Sequence, residues 1–239
     1  MKSEFSPREY WENIDSIISE LKTNGFVKLP SLEQLPLEVL ADNIIHEMGG
    51  SNFKELGKWH NRFLQILEVD EYLSPKLFEL AINAFNYKGN SNNQYHIARY
   101  VDRGNSKEQY RAHFDSHLFT IVFPIKIPSA SINGSAGELL YFPNIRKSPK
   151  NELINFMGKL YYKIFANEKG INSLAARSPL FIDDFKDQRP LLFLGNTTLH
   201  TNRSVSLEAS SDRLTLLAHY FDPSPSFGVG NILRFLRSR

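Results

Sequence analysis

The chain has no cysteine, which removes disulfide frameworks, thiolate zinc sites and cysteine nucleophiles together. It has almost no net charge: 28 Lys and Arg against 26 Asp and Glu leave +2, too little to argue for nucleic acid or an anionic membrane as partner. No basic-aromatic platform points to nucleic acid either. It lacks any run of about 18 apolar residues, so no helix is expected to span a bilayer. Its opening residues, Met1-Lys2-Ser3-Glu4-Phe5-Ser6-Pro7, have no signal-peptide core, and a cytoplasmic protein is the default expectation. There is no internal repeat and no low-complexity segment. No sequence feature fixes an oligomeric state.

What is present suits one globular domain. The 239 residues are 41% hydrophobic and 13% aromatic, well outside the disordered range. A chain of this length buries about 70% of its unfolded surface, so it needs no staple to fold. Residues 1–94 read as a helical support region. Ser6 and Pro7 open a first helix carrying Tyr10, Ile14, Ile17, Ile18 and Leu21, stopped by Gly25. Phe26 to Pro30 reads as a short strand. A second helix starts at Pro36 and ends at Gly49-Gly50, and a third runs from Pro75 to Phe85; residues 51–70 are ambiguous.

From Tyr95 the pattern changes to strands, at 95–102, 117–127, 137–142, 190–195, 198–205 and 212–221, with turn residues between them. Residues 95–222 form the core, interrupted at about 145–189 by an insertion with helical spacing from Asn151 to Ala166. The tail, 223–239, ends in a short basic stretch that suits docking or fraying better than membrane contact.

The chemistry gathers at three places: His113-Phe114-Asp115, then His200, then Arg213-Leu214-Thr215. Alternation along a strand sends His113 and Asp115 to one side and Phe114 to the other. Two imidazoles and one carboxylate form a facial triad for Fe(II), with three positions left open. Arg213 lies 13 residues after His200, enough to leave one strand and return on its neighbour. Thr215 shares its strand face, and a guanidinium beside a hydroxyl grips a carboxylate.

With these residues the sequence resembles the Fe(II)- and 2-oxoglutarate-dependent dioxygenase superfamily over about residues 95–222. The motifs carrying the resemblance are His113-Phe114-Asp115, Leu118-Phe119-Thr120-Ile121, Gly137-Glu138-Leu139-Leu140-Tyr141-Phe142-Pro143, His200 and Arg213-Leu214-Thr215. The resemblance implies an α+β fold, mainly β with flanking helices, built on a double-stranded β-helix of the jelly-roll, cupin-like kind. It implies His113, Asp115 and His200 as iron ligands, Arg213 and Thr215 as partners of the distal carboxylate of 2-oxoglutarate, and Tyr100 as a further contact to it. It also implies O2 as co-substrate and hydroxylation of a small polar molecule or accessible side chain, with succinate and CO2 released. Asp115 favours hydroxylation over halogenation, because halogenating relatives lack that carboxylate.

Other residues carry weaker signals. His117 reads as pocket-lining or surface, His219 as packed or solvated, and His46, His60 and His96 as structural. Arg99, Arg111, Asn202 and Arg203 flank the expected mouth, where solvated charge competes with anion binding. A cupin-like ligand-binding module and a metal-dependent hydrolase or isomerase are the alternative functions. Neither has a use for the whole set of two His, Asp and Arg.

Overall fold

Local capping and burial fix the N-terminal helices. In the computed structural model, which describes residues 5–55, 58–105, 109–130, 134–149 and 152–223, the Ser6 hydroxyl accepts from the Glu9 N–H and opens helix α1 (Pro7–Tyr10). The expected single first helix is broken at Trp11, which is buried and donates its indole N–H to the Leu67 carbonyl at 2.6 Å. Helix α2 (Ile14–Asn24) follows and ends on Gly25 in the left-handed region. Next come β1 (Phe26–Lys28), α3 (Leu37–Met48), β2 (Phe53–Glu55) and α4 (Lys58–Ile66). Helix α5 (Val69–Phe85) starts six residues before Pro75, where the third helix was expected to begin. Val69, Leu73 and Leu77, at helical spacing, bury one continuous stripe, and that burial carries the helix through the proline.

The remainder is mainly strand: β3 (Gln94–Val101), β4 (Phe119–Lys126), β5 (Leu139–Phe142), β6 (Phe181–Asp183), β7 (Leu191–Leu194), β8 (Leu199–Asn202) and β9 (Arg213–Tyr220). Between β5 and β6 lie α6 (Glu152–Tyr162) and α7 (Glu168–Ala175). Among its described residues the insertion thus holds two α-helices, a 3-10 turn at Lys163–Phe165 between them and a strand, where the sequence suggested one helix. The basic end of the tail lies outside the described residues.

Two antiparallel sheets result. The six-stranded sheet has the order β1-β7-β4-β9-β3-β2 and the three-stranded sheet the order β6-β5-β8. Val122, Leu191 and Phe193 of the large sheet meet Leu139 and Tyr141 of the small one in a shared interior. The outer face of the large sheet, including Ala98, Leu214, Leu216 and Tyr220, packs on the N-terminal helices. Arg213 does not return on the neighbour of the His200 strand. β8 is in the small sheet and β9 in the large one, so the connection crosses between sheets. Closing the barrel requires that crossing, since the two sheets must each supply one wall. Among the described residues no helix is long and apolar enough to cross a membrane.

Candidate functional site

His113 and Asp115 come together by a different route from the one their spacing suggests. They do not lie on a regular strand. His113 makes a lone antiparallel bridge to His200, with both backbone N–H···O bonds at 3.1 Å, and the chain then turns before β4. The Asp115 N–H donates to the Gly195 carbonyl at 3.0 Å, and the Gly195 N–H donates to the Leu118 carbonyl at 2.8 Å. The loop is thereby clamped to the end of β7, and both side chains face His200. Phe114 turns away and carries the Arg146 guanidinium on its ring at 3.7 Å.

One nitrogen of each histidine and one oxygen of Asp115 lie within 4.8 Å of one another. Asp115 Oδ1 is 3.7 Å from His113 Nε2, and Oδ2 is 3.7 Å from His200 Nε2. Both rings are oriented by the backbone. His113 Nδ1 contacts the Arg111 carbonyl at 2.8 Å and His200 Nδ1 the Thr198 carbonyl at 3.2 Å. A carbonyl only accepts, so each Nδ1 carries the proton and each Nε2 keeps a free lone pair. Burial lowers the His200 pKa and keeps the ring neutral. Burial alone would raise that of Asp115, but His200, His219, His113 and the Thr120 hydroxyl outweigh it and hold the carboxylate ionised. Neutral imidazole and ionised carboxylate are the forms that bind a divalent cation.

Beside this cluster, β9 turns Arg213 and Thr215 inward. Arg213 is 2% exposed and, among the described residues, forms no ion pair. Burial, reinforced by the nearby charge of Arg99, pulls its pKa down to about 9, so it stays charged at neutral pH. Its two attracting carboxylates are Glu138 and Asp183, and Asp183 is taken by Lys28 at 2.6 Å. The Thr215 hydroxyl is buried and, among the described residues, has no hydrogen-bond partner. Gly137 makes room for the guanidinium: it has φ +77°, and a Cβ there would stand 2.8 Å from Arg213 Cδ.

Tyr100 is not brought to the site, contrary to expectation. The β3–β9 register pairs it with Leu214, on the outer face, and its hydroxyl donates to Asp212 at 2.6 Å. Arg99, one residue earlier, pairs with Thr215 on the inner face and donates to Asn202 Oδ1 at 3.0 Å. Its charge is felt by His113, His200 and Arg213 alike.

No protein-family model matches the chain, and no curated protein does. Solved structures do. A prolyl 4-hydroxylase from Phytophthora capsici superposes with TM-score 0.56 and 11% identity, over 99% of this chain and 75% of its own. A prolyl-4-hydroxylase from Pseudomonas putida gives 0.51 and 12% over 86% and 92%. The non-haem alpha-ketoglutarate-dependent carbocyclase SnoK of nogalamycin biosynthesis gives 0.51 and 10% over 92% and 90%. The fold is the double-stranded β-helix of the 2-oxoglutarate-dependent oxygenases.

On this fold the residues singled out in sequence, His113, Asp115 and His200, come together, and Arg213 and Thr215 share a buried strand face; the groups behind Asp115 were not anticipated. Thr120 donates to Asp115 Oδ2 at 2.6 Å, His219 contacts Thr120, and His117 and Tyr95 pack against His219. The available signal was Thr120, the lone hydroxyl in the apolar run from Leu118 to Ile125. Gly195 is as restrictive, because a Cβ there would meet Thr120 Oγ1 at 2.6 Å and the His117 carbonyl at 2.9 Å. Gly195→Ala is therefore expected to destabilise the protein by about 1–3 kcal/mol in urea unfolding. A stability equal to wild type would show that the loop is not clamped there.

Proposed function

We propose that the protein is a non-haem Fe(II)- and 2-oxoglutarate-dependent oxygenase that hydroxylates a C–H bond of a small polar molecule or accessible side chain. One observation carries the reading: two free Nε2 lone pairs and an ionised carboxylate converge, and the buried Arg213 guanidinium has no ion pair among the described residues. A buried unpaired charge is costly, and its retention is accounted for if an anion binds there.

In this reading His113, Asp115 and His200 hold the iron on one face. When bound, iron with 2-oxoglutarate and O2 supplies the oxidising power for hydroxylation, and succinate and CO2 leave. The protein's part is to bind and orient. Arg213 and the Thr215 hydroxyl receive the distal carboxylate of 2-oxoglutarate, one by paired charged donors and one by a single hydrogen bond. Val122, Leu139, Phe193 and Leu217 line the interior and exclude water, which strengthens that pairing. Arg99 adds positive charge that acts on His113, His200 and Arg213 alike, and Arg111 and Arg203 lie within three residues of His113 and His200 in sequence, which favours an anionic or polar substrate. The named activities of the fold relatives support a 2-oxoglutarate enzyme and differ in outcome, since hydroxylases and a carbocyclase are both among them.

The test is anaerobic. Fe(II) and then 2-oxoglutarate are added, and the weak visible charge-transfer band of the chelate is recorded before O2 is admitted and succinate measured. Wild type is expected to show both the band and succinate, and His200→Ala neither. Tight metal binding with no band and no succinate would overturn the assignment in favour of a metal-dependent hydrolase.

A further inference from the structure

We propose that Thr120 and His219 are positioning residues for Asp115, forming a one-way hydrogen-bond chain that reserves Oδ1 of the carboxylate for the metal. The inference rests on the metal reading above and extends it to two residues outside the ligand set.

The direction of the chain follows from counting protons. Thr120 Oγ1 lies 2.6 Å from Asp115 Oδ2 and 3.1 Å from His219 Nδ1. A hydroxyl has one proton, and an ionised carboxylate can only accept, so that proton goes to Asp115. His219 must then supply the proton in its own contact with Thr120. Its Nδ1 is thus the protonated nitrogen, and the sequence runs His219 Nδ1–H to Thr120 O–H to Asp115 Oδ2. The histidine enforces the hydroxyl's direction, because Thr120 cannot turn its proton away from the carboxylate without confronting another donor. Oδ2, 3.7 Å from His200 Nε2, has one lone pair taken by the hydroxyl, whereas Oδ1, 3.7 Å from His113 Nε2, accepts no hydrogen bond among the described residues.

Tertiary structure makes this chain rigid. Thr120 and His219 are direct partners in the β4–β9 ladder, so neighbouring strands set their separation without a flexible loop. They are 1% and 6% exposed. His117 and Tyr95 stack on the His219 ring at 5.2 and 6.0 Å between centroids, with planes within 28° and 21° of parallel. The Nδ1 of His219 is committed to Thr120 and stands 3.8 Å from Oδ2, so that nitrogen supports the carboxylate. Gly195 closes the arrangement, since any side chain there would push Thr120 and the Asp115 Cβ apart. Groups that hold metal ligands from behind typically set 10–100-fold in metal affinity.

The experiment uses Co(II) as probe, titrated into the metal-free full-length protein, with the visible d–d spectrum and the metal-free unfolding midpoint as further readouts. Thr120→Val removes the hydroxyl at constant shape. It is expected to weaken Co(II) by about 10–100-fold and change the d–d spectrum, while the metal-free protein stays folded. Thr120→Ser restores affinity and spectrum. His219→Leu behaves like Thr120→Val, and His219→Asn, whose amide N–H can replace Nδ1–H, recovers part of the loss. If His219→Leu does not fold, the valine and serine variants decide alone. A folded Thr120→Val with wild-type affinity and spectrum overturns the inference. A wild type that binds no Co(II) overturns the metal reading and the inference with it.

Discussion

Replacing Arg213 with methionine is expected to weaken 2-oxoglutarate binding by about 100-fold or more and, in the ligand-free protein, to raise the unfolding midpoint. The two effects share one cause. Arg213 is 2% exposed and, among the described residues, forms no ion pair; after burial, the largest influence on it is the like charge of Arg99. Even a buried ion pair can be replaced by apolar residues at no cost or with a gain of about 1–4 kcal/mol, and a charge without an ion pair has less attraction to lose. With the co-substrate present the sign reverses, because the carboxylate then loses its paired donors. Metal affinity without co-substrate should not change, since Arg213 is not among the three residues whose donors converge. The checks are binding titrations with 2-oxoglutarate and thermal unfolding with and without it. A lower ligand-free midpoint together with unchanged co-substrate affinity would make Arg213 a structural residue and remove the anion grip from the site.

Asp115→Ala is the second large effect. A group that merely supports a ligand is worth 10–100-fold in metal affinity, so loss of a ligand itself should exceed about 100-fold and take succinate release below detection. The ligand-free protein should also lose about 1–3 kcal/mol in urea unfolding, because the Thr120 hydroxyl is left buried with a donor and no acceptor. Asp115→Asn separates charge from shape, keeping an oxygen for Thr120 while removing the anion, and should bind metal far less tightly than wild type. Wild-type metal affinity in Asp115→Ala would mean that the metal sits elsewhere.

The donor set was legible before the fold because it depends on residue types: His113, Asp115, His200 and Arg213 stand out in the bare sequence, and the first three converge in the fold. Their supports were less legible. Thr120 and His219 are far apart in the chain, and each alone reads as a strand residue; only the β4–β9 register makes them partners.

Amphipathic spacing, caps and turn residues determined that helices precede a set of strands, and period-two alternation determined that Arg213 and Thr215 share a face. Those are local properties, fixed by which side chains recur at which interval. Alternation cannot say which of two faces looks inward, and a family resemblance cannot either: it implied Tyr100 as a co-substrate contact, whereas the register puts Tyr100 opposite Leu214 and Arg99 opposite Thr215. A shift of one residue exchanges the faces of a strand, and only burial against the N-terminal helices selects between them. The crossing from β8 to β9, the clamp of Gly195 on the Asp115 loop and the deep burial of Arg213 were likewise decided by the tertiary structure. Each depends on two segments distant in sequence meeting at a few ångströms, a distance that no local pattern encodes.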